Sequence, residues 1–404
     1  MSTEQRVRRS GAHTTAELLS AALDVMAELG LDATSLPAIA KRANVSTGPL
    51  YNRFDGTDDV VLAVWPTTIA PAFRLITEQL ADWLTGDGSA PPPALCATLR
   101  QPEPAVEALV ETMSAVRRFP YATDIIRDDC AAIVQRYTLR TASIPPALSQ
   151  YALAAVLGEM LIARVTPPRR RSSPQQFLQT VRDLSRATAP LVGRADDFEP
   201  LQMPVITSES ATTDDFLNAA LVVIARGGFD RASAHRIARQ AGHSVSHSYS
   251  HFSSKHKLAA AALGAIIDQV VGPRVLAFIG IDEAAAQRLV LMASRALCDD
   301  STRQVRRLRL ECVLAARHYD DLHTTFADAL DRADSMVAAR LSSELGVTPA
   351  QLQRLTGQWH MIRAFTFGAL ALDEAAGILS PELDSRPLAT SIPRLFAEYA
   401  RSSS

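Results

Sequence analysis

An all-α chain built from two related copies is the fold class that the sequence predicts, and three observations predict it. Apolar residues recur at three- and four-residue spacing through most of the 404 residues. No run alternates apolar and polar residues over the length of a strand. The segment from Thr14 to Phe54 returns without a gap from Thr212 to Phe252, at an offset of 198. Shared positions include Ala21/Ala219, Ala22/Ala220, Gly30/Gly228, Ser35/Ser233, Ile39/Ile237, Ala40/Ala238, Ala43/Ala241, Ser46/Ser244, Tyr51/Tyr249 and Phe54/Phe252. A weaker echo at an offset of 200 pairs Glu111/Glu311, Ala115/Ala315, Arg117/Arg317 and Phe119/Tyr319.

In each copy a first helix is expected after a threonine pair (Thr14-Thr15, Thr212-Thr213), whose hydroxyls can cap free amides. It should end at Gly30 or Gly228, where a left-handed residue costs glycine little. A second helix is expected over Leu36 to Ala43, then a turn at Asn44 to Ser46, then a third helix over Thr47 to Phe54. The second copy reads as Ala234 to Ala241 and Val245 to Phe252. Two short helices across a tight turn form a helix-turn-helix, whose second helix can enter the DNA major groove. A fourth helix follows at Thr57 to Trp65 and at Lys255 to Val271. Pro91 to Pro93, Thr166 to Pro174 and Gly272-Pro273 are breaks between later helices. The segment Gly193 to Ala211 lacks helical periodicity, holds Pro200 and Pro204, and reads as a linker. The expected domains are therefore 1–60 and 212–258 as helix-turn-helix heads, 61–192 and 259–404 as helical bodies, and 193–211 between them.

Hydrophobic residues make up 47% of the chain and charged residues 21%, enough apolar material for a core and unlike a fibre or a disordered scaffold. The longest purely apolar run, Leu258 to Ile267, is ten residues, short of the roughly 20 that span a bilayer. Arg6, Arg8 and Arg9 precede a segment already interrupted by Glu17 and Asp24, so secretion is not expected. A cytoplasmic, nucleoid-associated protein without membrane contact is. The four cysteines form no paired motif and read as free buried thiols. No Ser/His/Asp set, nucleotide loop or paired-carboxylate constellation stands out, so neither enzymatic activity nor a cofactor is expected.

The net charge of −2 gives no sign of a polyanionic partner, but the placement of charge does. From Leu36 to Phe54 there is no acid, while Lys41, Arg42 and Arg53 are present. From Ala234 to Phe252 there is again none, with Arg236, Arg239 and four histidines. Phosphate repels carboxylates, so an acid-free face suits DNA docking. Over residues 1–60 acids outnumber bases, and Arg6, Arg8 and Arg9 would offset this as a flexible arm suited to the minor groove.

The run TS-L-x-x-IA-x-x-A-x-VS-x-G-x-LY-x-x-F, carried by Thr34, Ser35, Ile39, Ala40, Ala43, Val45, Ser46, Gly48, Leu50, Tyr51 and Phe54, resembles the tetracycline-repressor (TetR) family of transcription regulators. The second copy keeps Ser233, Ile237, Ala238, Ala241, Gly242, Ser244, Tyr249, His251 and Phe252, then Ser254-Lys255 and Leu258. The resemblance implies a DNA-binding head and a ligand-sensing, dimerising body in each copy. It implies DNA contacts from Tyr51 and Tyr249 to phosphate, and from the exposed face of the third helix. In the first copy the expected set is Arg6, Arg8, Arg9, Lys41, Ser46, Thr47, Gly48, Pro49, Tyr51, Asn52 and Arg53. In the second it is Ser244, Val245, Ser246, His247, Tyr249, Ser250, His251 and Lys255. Gly56-Thr57 stands where the family usually has Ser-Lys. Ser246 and Ser248 replace the family's Gly and buried Leu, and an unsatisfied serine there would cost on the order of 1–3 kcal/mol. That points to a weaker or degenerate second head.

His243, His247 and His251 share one helical face. Zinc or nickel could use that spacing, but neutral donors to phosphate are the preferred reading and no metal is expected. Arg169-Arg170-Arg171 reads as a solvated loop. Trp83, Met113, Cys130, Trp359 and His360 read as core before pocket lining. By the resemblance, the last two helices of each copy, Ala147 to Val165 with Pro174 to Leu191 and Pro349 to Leu372 with Pro387 to Arg401, pair within one chain. Small Ala152, Ala154, Ala155 and Gly158 would face large Trp359, Phe365 and Phe367. The expected partners are a double-stranded operator with unlike half-sites about one turn apart and an unknown small-molecule effector. The expected assembly is an intramolecular pseudo-dimer, open to further homo-oligomerisation. The effector would shift helix four and release DNA. The alternative from another class is a ligand-sensing or protein-interaction module that has lost DNA binding.

Overall fold

The computed structural model describes residues 3–88, 90–186, 205–208, 210–266, 297–345, 348–379 and 384–401, with 268–269, 287, 290–291 and 294–295 between them. Helix is the regular structure throughout, and no strand occurs among the described residues. The described residues gather into two compact units. One lies within 1–83, 92–140 and 371–378, the other within 84–91, 141–370 and 379–404.

In the first unit, α1 (Thr3–Leu29) packs on α2 (Leu36–Ala43), α4 (Thr57–Val64) and α7 (Pro104–Ala115), with α3 (Gly48–Tyr51) on α2 and α8 (Pro120–Arg140) on α4. The start of α1 corrects the expectation of a helix opening at the threonine pair. The segment before it contains no proline and one glycine, so nothing ends the helix there. Arg6, Arg8 and Arg9 therefore lie on helical backbone, and the flexible arm is absent. The α1 helix ends as expected, at Gly30 with φ of 85° and its amide on the Met26 carbonyl. The third helix stops at Tyr51, shorter than expected.

A π-helical turn, Trp65–Ile69, joins α4 to α5 (Ala70–Thr85). The Trp65 indole N–H donates to Asp129 on α8 at 3.0 Å, and Arg74 holds the same carboxylate at 3.1 Å. The whole run Thr57–Thr85 is long and apolar enough to cross a membrane by composition, and half of its most apolar window is buried inside the protein. A search for uninterrupted apolar runs passes over it because Pro66, Thr67 and Thr68 break the run. The helix α6 (Pro93–Arg100) completes the set before α7.

In the second unit, α11 (Ala211–Gly227) packs on α12 (Ala234–Ala241), α14 (Lys255–Ile266) and α15 (Arg303–His318), with α13 (Val245–His251) on α12 and α16 (Asp320–Leu345) on α14 and α15. The cap of α11 is Ser210, whose hydroxyl accepts the Thr213 amide at 3.3 Å, and not the threonine pair. Of the expected linker, residues 205–208 are the longest described stretch. Ile206 is buried there, and its amide and carbonyl are both taken by the Asn218 side chain at 2.8 and 2.9 Å.

The same unit holds α9 (Pro146–Ile162), α10 (Pro174–Arg186), α18 (Arg386–Arg401) and, of α17 (Pro349–Ala376), the part up to Leu370. The helices α9, α10 and α18 pack on one another. The α9 and α17 backbones touch at glycine: a Cβ built on Gly158 would overlap the Ala364 carbonyl, and one on Gly368 the Ala154 carbonyl. The crossing is thus small against small, which corrects the expected small-against-large packing. Phe365 stacks instead on Tyr151 with centroids 4.1 Å apart, and Phe367 meets Phe326 and Arg309. The Trp359 side chain lies outside the described residues, as do the expected end of α10 beyond Arg186 and, of the expected end of α14, residues 267 and 270–271.

The arginine triple is not a solvated loop. Arg169 and Arg170 both reach Asp331 on α16, at 2.7 and 2.8 Å, and Arg171 reaches Glu159 at 2.8 Å. Carboxylates supplied by distant helices decide this. The two guanidinium hydrogen bonds, Arg169's and then Arg170's, hold the Asp331 carboxyl below its ordinary value of 3.8.

Two outcomes follow from this packing. Gly158→Ala should lower the denaturation free energy by about 1–3 kcal/mol through overpacking. Gly264→Ala, whose Cβ would make an ordinary contact with Thr325, should raise it by roughly 0.5–1 kcal/mol; urea melts compare the two. A carboxylate depressed by folding stabilises fully above its unfolded value and loses that contribution as pH falls through the lower folded one. Stability should therefore drop on acidification below about pH 4, and the drop should be shallower in Asp331→Asn when melting temperatures are measured against pH.

Candidate DNA interface

Each head rests on a short α2- or α12-type helix with a serine cap. Ser35 accepts the Ala38 amide and Ser233 the Arg236 amide, both at 3.3 Å. The turn then needs one left-handed residue. Asn44 takes it in the first copy (φ 56°) and Gly242 in the second (φ 76°), the two residue types that tolerate this region best.

The third helices differ. The α3 helix has four residues and no side-chain cap from Thr47. The α13 helix has seven, and Ser244 caps it by accepting the His247 amide at 3.1 Å. Below α3 lies Leu50, fully buried, with Leu18 of α1 also in the core. At the equivalent positions the second copy has Ser248, 3% exposed, and Phe216, 0% exposed. Bulk has moved from the third helix to the first. The Phe216 ring lies 5.1, 6.0 and 5.9 Å from the rings of His243, His247 and His251, and 6.4 Å from Phe252. The serine that reads as a defect in sequence is thus accompanied by a larger buried side chain at the matching position of the first helix.

The residues expected to meet DNA stand as follows. Lys41, Ser46, Thr47, Gly48, Tyr51, Asn52 and Arg53 are exposed and Pro49 is half-buried; the Arg53 guanidinium donates to the Pro49 carbonyl at 3.1 Å. Ser244, Ser246, His247, Tyr249, Ser250 and His251 are exposed, and Val245 is half-buried. Tyr51 and Tyr249 are alike, 58% and 56% exposed, large aromatic rings turned outward at matching positions of both copies. The side chains of Arg6, Arg8 and Arg9 lie outside the described residues. Lys255 is turned away from this surface. Its ammonium donates to the Phe229 and Asp230 carbonyls at 3.2 and 3.5 Å and sits 4.3 Å above the Phe229 ring.

Two acids escape a reading confined to residues 36–54 and 234–252. Glu28 of α1 pairs with Arg42, and Asp215 of α11 with His243 at 3.0 Å. Both reach the head from its first helix, where no local pattern marks them. The histidine row is real, with His243–His247 and His247–His251 centroids 5.3 and 5.1 Å apart. His243 belongs to the turn and not to α13. Among the described residues, no group of three His, Cys, Asp or Glu side chains is arranged to hold a metal ion.

Heads and bodies meet at two differently built junctions. In the first copy Arg118 pairs with Asp32, both largely buried, and the Thr57 hydroxyl donates to the Thr34 carbonyl at 3.3 Å. In the second, Phe229, His256 and Tyr319 pack ring on ring at 4.9–5.5 Å, the Tyr319 hydroxyl donates to Asp230, and buried Glu311 accepts the Phe229 amide.

Residues 18–64 and 216–262 each match the family model of the bacterial regulatory proteins, tetR family. The two matches cover both helix-turn-helix heads and the start of the helix after each. The chain carries the tetR-family head twice. Over 95 residues, 24% of this chain, it is 34% identical to uncharacterized HTH-type transcriptional regulators of Mycobacterium bovis and Mycobacterium tuberculosis. It spans about half the length of these relatives, 47%. Among solved structures it is similar to the fatty acid degradation regulator FadR from Bacillus halodurans, with a TM-score of 0.33 and 18% identity over 47% of this chain and 96% of that one.

The small Ser248 and large Phe216 have a measurable consequence. Phe216→Leu should destabilise the second head by about 1–3 kcal/mol, because its partner position is already small. Adding Ser248→Leu to it should restore most of the loss, as a double-mutant cycle in urea would show.

Proposed function

We propose that this regulator acts as a ligand-released repressor, one chain serving as a pseudo-dimer on an asymmetric operator. The observation that carries the reading is the pair of unlike reading surfaces. Two identical heads related by a two-fold axis select a palindrome. Here Ser46 to Arg53 reads STGPLYNR and Ser244 to His251 reads SVSHSYSH. The outward side chains thus differ at nearly every position except the serine and the tyrosine. Tyr51 and Tyr249, with Lys41, supply phosphate contacts that set register, while Thr47, Pro49, Asn52 and Arg53 meet base edges in one half-site. Val245, His247, Ser250 and His251 meet them in the other. The packing of α9 and α10 with α17 and α18 inside one unit supports pairing within the chain.

Release is assigned to the helix after each head. The α4 helix touches both α1 and α8, so a small molecule entering the body would move the head through it. The π turn at Trp65–Ile69 favours this assignment, since such turns recur at functional positions. Lys255 belongs to the same device in the second copy, where it ties α14 to carbonyls at the start of the α11–α12 turn.

Selection from a randomised duplex library by the purified chain, at low and physiological salt, tests the reading. The expected result is one asymmetric motif with two unlike halves about one turn apart. Arg53→Ala should cost about 1–3 kcal/mol and relax one position of one half. Tyr51→Phe should weaken binding evenly across sequences. A palindrome would show one head dominating in paired chains, and no enrichment at either salt would favour a module without DNA binding.

A further inference from the structure

The crossing of α9 and α17 is symmetric in its small residues and asymmetric in everything that decorates them. Gly158 meets Ala364 and Gly368, and Gly368 meets Ala154 and Gly158. The two A-x-x-x-G segments, Ala154 to Gly158 and Ala364 to Gly368, therefore correspond at a shift of 210 residues and meet reciprocally. Either segment could cross a second copy of itself equally well, so the glycines supply close contact without choosing a partner.

The choice lies one residue on. Glu159, 3% exposed, accepts from His360 Nε2, 1% exposed, at 2.5 Å through one oxygen, and from Arg171 at 2.8 Å through the other. At the shift of 210 the position matching Glu159 is Ala369, and the one matching His360 is Gln150. Likewise Tyr151 matches Met361 and Phe365 matches Ala155. Two α9 helices crossed in this register would set Glu159 against Gln150 and Tyr151 against Ala155. Two α17 helices would set His360 against Ala369 and Phe365 against Met361. Only the mixed crossing gives the buried carboxylate its imidazole and stacks Tyr151 on Phe365.

We infer that Glu159 and His360 are the residues that make this helix surface accept α17 of the second copy and refuse the α9 of another chain. Their surface fits one occupant, the second repeat within the same chain. A buried polar pair between helices is a poor source of stability and a good source of register and partner choice, because a wrong partner leaves a desolvated group unmatched. Tethering in one chain adds effective concentration but cannot by itself exclude a second chain at high protein concentration, and the pair does. The inference rests on the intramolecular pairing proposed above.

The test is the mass of the full-length chain by light scattering across a hundredfold concentration range, with subunit exchange between two differently tagged preparations and no DNA present. The wild-type chain should stay monomeric and not exchange. His360→Gln and Glu159→Gln should each raise the two-chain fraction at least tenfold, with helical circular dichroism unchanged. The exchanged double variant Glu159→His with His360→Glu should return it toward the wild-type value, a rescue that a merely structural role would not produce. Variants that remain monomeric without exchange while folded would overturn the inference. A two-chain wild type would overturn the intramolecular pairing beneath it, whereas the operator reading stands or falls on the duplex selection alone.

Discussion

A recognition helix of four or seven residues cannot hold itself. Helix nucleation is costly, and so short a segment has almost no helical population in water. Each third helix therefore exists only as far as the other helices of its head hold its buried face. In one copy Leu50 and Leu18 meet that need as two medium side chains, and in the other Ser248 and Phe216 meet it as a small and a large one. The turn geometry follows from the same requirement. With so few residues to spare, the direction of the third helix is set by one left-handed residue, Asn44 or Gly242. The histidine row of the second copy lies over Phe216, so the residues offered outward are also part of what keeps α13 in place.

Because the first helices run on into the bodies, packing on α7 and α15, head orientation is a property of the body as well. The two copies fix that joint by different physics. The first uses a largely buried ion pair, Asp32 with Arg118, and a threonine hydrogen bond. The second uses three rings packed together, a tyrosine hydroxyl on Asp230 and a lysine on backbone carbonyls. Asp32 and Asp230 occupy the same place in the repeat, so one acid has acquired two kinds of partner. Two joints built so differently need not yield to the same perturbation, which leaves room for one chain to respond unequally through its two heads.

Repeats and turns were legible in the sequence because they are local. The bounds of α2 and α12, the glycine ends of α1 and α11, and the exposed faces of α3 and α13 all follow from residues within a few positions of one another. What escaped depends on distance in the chain. Glu28 and Asp215 pair with Arg42 and His243 of the acid-free segments from another helix, and Asp331 turns an apparent solvated loop into an anchored one. Phe216 repairs a serine 32 positions away. Lys255 matched a family motif by spacing, yet it faces carbonyls that only the folded turn assembles. The A-x-x-x-G segments could have been read as close-crossing helices, since small residues four apart let backbones approach. That they cross each other needed the fold.

Duplication within one chain changes what an interface can be. In a homodimer each side chain near the axis must suit its own copy, so a buried carboxylate brings a second carboxylate and a large ring brings a second ring. The α9–α17 crossing keeps the symmetric element that such an ancestor would need, glycine on carbonyl in both directions. Around it stand pairs that a two-fold axis would repeat and that occur here on one side only: Glu159 with His360, Tyr151 with Phe365. The same release applies at the heads, where STGPLYNR and SVSHSYSH no longer have to read the same half-site. Asymmetry at the bundle and asymmetry at the DNA surface are then one event. Under the pairing proposed above, groups buried between the helices commit the two halves to each other, and each third helix is then free to change alone.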